Sequence, residues 1–150
     1  MANFIIKKIE KKDIPQLLQL IKELAEYEKA PNEVTNTEDK ILLDGFGENP
    51  IFGGYIATVE NKAVGMAIYY YRYSTWKGRV LYLEDLYIQP QYRRLGIGEA
   101  FFDELIQHAK NTKCQRITWQ VLDWNTPAVQ FYEKLGAKID KGWWNGYIEL

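Results

Sequence analysis

Apolar and polar positions along the chain alternate between two periods. "FIIKKI" near the N-terminus predicts a first strand, and Asp13 then stands where a helix N-cap belongs, with Pro15 in the first turn. Ile14, Leu17, Leu18, Ile21, Leu24 and Ala25 recur at the spacing of one buried helix face, and Pro31 stops that helix. Thr37 caps a second, short helix ending at Gly45 or Gly47. Three strand-like runs follow, "IFGGYIATVE", "AVGMAIYYYRYS" and "GRVLYLEDLYI", the first two joined by a tight turn at Asn61 and Lys62. "GIGEAFFDELIQHAK" predicts a helix and "RITWQVL" a strand. "TPAVQFYEKLG" predicts a helix with Thr126 as N-cap, Pro127 at its first position and Gly136 past its end; "GWWNGYIEL" predicts a closing strand.

The order β-α-α-β-β-β-α-β-α-β predicts a mixed α/β (α+β) domain spanning residues 1–150. Strands joined by short turns pair antiparallel, and the strand-helix-strand unit from Leu81 to Leu122 pairs parallel through a right-handed crossover. Helices then cover both faces of the sheet.

Composition narrows the function classes. A net charge of −1 gives no global basic field, so neither nucleic acid nor an anionic membrane is an expected partner. One cysteine, Cys114, rules out an internal disulfide framework and fits a reducing compartment. "MANFIIKKIEKKD" lacks the pattern of a signal peptide and no apolar run is long enough to span a membrane, so a cytoplasmic location is expected. The sole histidine, His108, cannot build a metal cluster, and no metal is expected. Cys114 has no histidine nearby in sequence, which argues against a thiol nucleophile. Aromatic residues make up 15% of the chain; an aromatic core accounts for most of them and a ligand-lined groove for the rest.

The chemistry concentrates in "YLEDLYIQPQYRRLGIGEAFFDEL", Tyr82 to Leu105. A helix N-terminus presents unpaired N–H groups and the positive end of a dipole, and glycine lets an anion come close. "RRLGIG" supplies both, with positive charge from Arg93 and Arg94, at the carboxyl end of an apolar strand where α/β ligands bind. It is neither a P-loop, which needs a lysine and a hydroxyl, nor a complete G-x-G-x-x-G fingerprint. A plain βα turn with packing glycines stays open on spacing alone.

The wider stretch "IQPQYRRLGIGEAFF" resembles the GNAT superfamily of acetyl-CoA-dependent N-acetyltransferases, with Arg93, Gly96 and Gly98 at the positions of its R-x-x-G-x-G coenzyme turn. "WNTPAVQFYEKLGA" is similar to the family's second signature through Asn125, Ala128, Phe131, Tyr132, Gly136 and Ala137. "IKELAEYEKAPNEV", "LLDGFGENP" and "AIYYYRYSTWKGRVLYLEDLYI" look like the spermidine/spermine (diamine) and thialysine N-acetyltransferase branch, to about Ala137. Ser74 stands where those enzymes carry an acidic residue.

The resemblance implies a GNAT fold, with a mostly antiparallel central sheet of six to seven strands. It implies acetyl-CoA as cosubstrate, a homodimer, and direct transfer of acetyl to a primary amine of a small cationic molecule: a polyamine, a diamine or a lysine-like amino acid. The implied coenzyme-binding set is Leu86, Tyr87, Ile88, Arg93, Arg94, Leu95, Gly96, Ile97, Gly98, Glu99, Asn125, Ala128 and Tyr132.

Such an amine is only roughly 1 part in 2,500 neutral at pH 7, a cost of about 4.6 kcal/mol. A carboxylate must take its proton, and the glutamate of "YLED", Glu84, has that role in the resembling family. Strict alternation would send Asp85 to the opposite face. Backbone at Leu86–Ile88 corresponds to the family's oxyanion donor, and Tyr132 to its general acid. On periodicity alone, Tyr132 reads equally as part of an apolar helix face. Tyr27 and Glu28 correspond to a cationic clamp or to a solvated helix end; Trp76, Tyr82 and Trp119, with Trp124, are candidates to line an amine channel or to pack the core. Two other readings remain: a noncatalytic acyl-CoA-binding module, and an acetyltransferase of a protein amine.

Overall fold

The computed structural model describes residues 3–150. Two compact units make up the chain, Met1–Trp119 and Gln120–Leu150.

The first unit is built on a five-stranded sheet whose spatial order follows the sequence. Its strands are β1 (Ile5–Lys8), β2 (Gly53–Val59), β3 (Lys62–Ser74), β4 (Gly78–Ile88) and β5 (Arg116–Trp119). The first four pair antiparallel, and β5 pairs parallel to β4, as a strand-helix-strand crossover requires. Three helices belong to this unit: α1 (Ile14–Tyr27), α2 (Glu38–Phe46) and α3 (Ile97–Asn111).

Leu17, Leu18 and Leu20 of α1 and Ile41 of α2 pack with Ile56, Met66, Ile68 and Tyr87 on one face of the sheet. The other face belongs to α3. His108 lies 4.7 Å from the Tyr69 ring and Phe102 sits edge-on to Trp119 at 5.4 Å. Val80, Leu81, Tyr82 and Leu83 are buried in succession, the mark of a central strand covered on both faces.

Several boundaries differ from expectation. The sheet has five strands, not six to seven, because residues 138–150 form neither helix nor strand. Trp143, Trp144, Tyr147 and Ile148 of "GWWNGYIEL" are exposed. Asp13 is the N-cap residue of α1, as expected, but its side chain makes no capping bond. It is 4% exposed and turns back to accept from the Glu10 N–H at 2.8 Å and from Lys7 Nζ at 3.2 Å, closing the 3-10 turn Lys11–Asp13. Thr37 caps α2 as its hydroxyl predicts, accepting from the Lys40 N–H at 3.3 Å.

The second unit carries α4 (Thr126–Lys134). Its N-cap is Asn125, one residue before the expected Thr126, and the Asn125 carboxamide accepts from the Ala128 N–H at 3.4 Å. Gly136, with φ at 87°, ends the helix in the left-handed region.

Asp13 is a buried charge held by two donors, so its removal is expensive. Asp13→Ala is expected to cost about 1.5–3 kcal/mol, the worth of hydrogen bonds to a charged group. Urea unfolding checks it, and an unchanged midpoint would contradict the assignment.

Candidate active site

The turn singled out in the sequence sits between β4 and α3. Gly96 is the N-cap of α3, with φ at 89° and no side-chain cap, and a Cβ there would meet nothing within 4 Å. Arg94 also has positive φ, at 63°. Among the described residues, the backbone N–H groups of residues 94–99 donate to no acceptor; the first helical bond is Ala100 N–H to Gly96 O at 3.0 Å. A row of unspent donors at the positive end of a fifteen-residue helix, beside an open glycine, fits a diphosphate.

Arg93 behaves differently from its neighbour. Its Nε donates to the Ile88 carbonyl at 2.9 Å, and its guanidinium lies 5.2 Å from the Tyr27 ring and 5.8 Å from the Tyr87 ring. The side chain thus ties the turn to the ends of β4 and α1.

Two irregularities in β4 shape the site. Its ladder with β5 stops at Leu83–Trp119, while β4 continues from Glu84 to Ile88 with no strand on that side among the described residues. Its register with β3 shifts between Ile68–Asp85 and Tyr69–Leu83, so Glu84 is the extra residue of a β-bulge. The bulge breaks the strict alternation that would separate Glu84 from Asp85. Asp85 instead faces the α1 side, as Tyr87 does, and so does Tyr82 on the far side of the bulge.

Charge follows from this geometry. Burial, then the neighbouring Glu84 and Glu28 carboxylates, push the Asp85 carboxyl up to about 7. Glu28, the C-cap of α1, is also raised by burial. Burial and then Glu84 raise Tyr70 and Tyr82, whose rings pair at 5.1 Å, while Arg72 acts on both in the opposite sense. Glu28, Glu84, Asp85, Tyr82 and Tyr70 therefore share one electrostatic neighbourhood. Tyr70 and Arg72 were not legible as site residues in the sequence; their only signal was the run "YYYRY" directly opposite "VLYLED".

Other predicted residues lie elsewhere. Trp76 is at the tip of the β3–β4 hairpin, 86% exposed. Trp119 packs on Phe102, on the α3 face and away from the carboxylates. In the second unit, Tyr132 is buried on α4, its ring 5.5 Å from Phe131, and Ala128 lies in the first turn of that helix. A cavity of about 100 Å³, lined by Lys8, Phe46, Phe52 and Tyr69 among others, shares no residue with the carboxylate cluster. No group of three or more metal-ligating side chains occurs among the described residues, and no helix there is long and apolar enough to cross a membrane.

This sheet, with a donor-rich turn after its fourth strand, defines an acyltransferase fold. The chain belongs to the acetyltransferase (GNAT) family, whose model matches residues 15–137, and it is an acetyltransferase. It is 40% identical to a thialysine N-epsilon-acetyltransferase of Sus scrofa over 146 residues, 92% of this chain and 86% of that protein. The corresponding enzyme of Caenorhabditis elegans is 41% identical over 133 residues, 89% and 82% of the two chains. In fold it is similar to an aminoglycoside acetyltransferase from an uncultured soil metagenomic sample, with a TM-score of 0.81, 20% identity, and coverage of 98% and 96%. An aminoglycoside N-acetyltransferase solved with coenzyme A gives a TM-score of 0.80 at 17% identity, with coverage of 100% and 97%.

The raised Asp85 carboxyl makes stability depend on pH. The folded state holds this proton up to about pH 7, whereas an unfolded aspartate loses it near 4, so Asp85's contribution is full below pH 4 and is lost as pH rises to 7. Asp85→Asn is expected to melt above the parent protein at pH 8 and to lose that advantage at pH 4. Thermal melts at both values check this, and an equal difference at each would contradict it.

Proposed function

We propose that this chain uses acetyl-CoA to acetylate a primary amine of a small cationic molecule, a polyamine, a diamine or a lysine-like amino acid. The observation that carries the proposal is the meeting of Glu84, Asp85 and Glu28 beside the end of β4, next to the turn whose amides are unspent. Three carboxylates near one another draw in an ammonium group, and the Tyr70–Tyr82 pair offers it aromatic faces. The relatives named for thialysine, an amino acid with a side-chain amine, support this substrate class.

The coenzyme supplies an acetyl group activated as a thioester. The backbone N–H groups of Arg94–Glu99 hold its diphosphate, with the positive charge of Arg94 beside them. The edge of β4 from Leu86 to Ile88 receives the acetyl arm and turns a backbone donor toward its carbonyl. Asn125 and Ala128 set the first turn of α4, which carries Tyr132. Glu84 and Asp85 together take the proton of the incoming ammonium. Asp85 is poised near the working pH, where a general base is most effective, and Glu84 lies beside it. The neutral amine attacks the thioester directly, and the Tyr132 hydroxyl gives its proton to the departing sulfur. Glu28 and Tyr27 close the cationic end. The enzyme works as a cytoplasmic homodimer, and the single cysteine, Cys114, fits that compartment.

A panel of amines with acetyl-CoA, read by released thiol, tests the reading. Polyamines, diamines or lysine analogues are expected to react. Tyr132→Phe is expected to lower kcat about a hundredfold while keeping coenzyme affinity. Glu84→Gln is expected to shift the acidic limb of kcat/KM downward, because it removes a charge that raises Asp85. Tight coenzyme binding with no amine acetylated would leave a noncatalytic sensor as the better description. Light scattering checks the dimer; a particle of one chain's mass at micromolar concentration would contradict it.

A further inference from the structure

Glu23 has no place in the chemistry described so far, yet it holds the end of β4 from the α1 side. Its carboxylate accepts from Gln89 Nε2 at 3.1 and 3.3 Å and from the Tyr87 hydroxyl at 3.4 Å. Burial and then Glu23 raise the Tyr87 hydroxyl, which keeps it protonated and donating. The Gln89 Oε1 is buried with no partner among the described residues, so the bonds to Glu23 are what orient that carboxamide. Tyr87 and Gln89 flank Ile88 in the chain. One carboxylate thus grips the backbone on both sides of Ile88.

The direction of the Ile88 N–H follows from the ladder. Hydrogen-bonded and non-hydrogen-bonded pairs alternate along an antiparallel ladder. The Gln89 N–H donates to the Val64 carbonyl at 2.9 Å, so those two residues form a bonded pair. Ile88, opposite Gly65, then belongs to a non-bonded pair, and its N–H and C=O point away from β3. That side of β4 is the open one, because the ladder with β5 stops at Leu83. Arg93 Nε takes the Ile88 carbonyl there at 2.9 Å. No acceptor for the Ile88 N–H occurs outside the ladder among the described residues. We infer that Glu23 is a positioning residue: through Tyr87 and Gln89 it sets the plane of the Tyr87–Ile88 peptide, whose N–H meets the acetyl carbonyl. A donor aimed at a developing oxyanion acts most strongly in the transition state, and a misplacement of about 1 Å can cost about a hundredfold. Tethers from the side chains on both flanks hold such a donor in place before the reaction.

This inference rests on the reading of the Leu86–Ile88 edge as the place of the acetyl arm, and the test separates it from the choice of amine. The parent protein, Glu23→Ala and Glu23→Gln are compared in two ways. One is the chemical-shift change of the Ile88 amide on saturation with acetyl-CoA; the other is kcat and KM with thialysine or spermidine. Saturation is expected to move the Ile88 amide in the parent. Glu23→Ala is expected to lose about half of that change or more and to lower kcat about tenfold or more. Its KM for acetyl-CoA is expected to stay within about twofold, with the amides of residues 94–99 responding as before. Glu23→Gln, which keeps an acceptor oxygen, is expected to recover most of both losses. Tyr87→Phe/Gln89→Met removes both donors, leaves Glu23 in place and is expected to match Glu23→Ala, so the test holds if either variant fails to fold. An unchanged Ile88 response and kcat in Glu23→Ala or in the double variant, or a loss shared equally by residues 94–99, would overturn the inference while leaving amine acetylation intact. Acetyl-CoA that left the Ile88 amide of the parent unmoved would bring down the acetyl-arm reading and this inference together. A parent that showed the expected Ile88 responses but acetylated no amine would bring down the amine reading alone.

Discussion

The whole site depends on β4 being a two-sided strand for only part of its length. Up to Leu83 it is held by β3 on one side and β5 on the other; from Glu84 onward only β3 holds it. A backbone polar group inside a protein needs a partner. A strand that stops pairing at its carboxyl end therefore offers main-chain groups to a ligand, and this one does so immediately before a helix N-terminus with six further unspent amides, those of residues 94–99. The open strand edge and the open helix end are joined by the short segment Gln89–Gly96.

The bulge at Glu84 lies at the same point of the strand, and it sets which carboxyls meet. Without it, Asp85 would face the α3 side among apolar neighbours and away from α1. With it, Asp85 joins Glu28 and Glu84, and their mutual repulsion adds to burial in raising its carboxyl toward neutrality. One added residue in the register thus converts two adjacent acids from independent strand residues into an interacting pair. Arg93 fixes this end of the strand in place. By bonding the Ile88 carbonyl and lying over Tyr27 and Tyr87, it ties the turn, the end of β4 and the end of α1 together.

Much of the fold was legible because local signals agreed with the global one. The caps at Thr37 and Gly136, the helix face of Leu17, Leu18 and Leu24, and the buried run of β4 could all be read from short windows. The strand-turn-helix junction at Arg93–Gly98 was legible for the same reason, from an apolar strand, two glycines and an amphipathic helix in succession. What escaped was whatever depends on pairing between distant segments. The bulge exists only in the register of β3 against β4, so strict alternation misplaced Asp85. Asp13 is a local exception: it holds the expected N-cap position, but its side chain turns to Lys7 and the Glu10 amide instead of the helix. Arg93 was read as free charge because its aromatic partners lie far away in sequence. "GWWNGYIEL" has the composition of a strand, but composition does not supply a neighbour, and the segment is unpaired in its own unit.

Amide chemical-shift titration with coenzyme A tests the central claim most directly. The account predicts that the backbone amides of residues 94–99 show the largest changes, with those of Leu86–Ile88 next, and that 3′-dephospho-coenzyme A, which keeps the diphosphate, reproduces the effect. Saturating coenzyme that left the amides of residues 94–99 unmoved, with the response elsewhere in the chain, would contradict it.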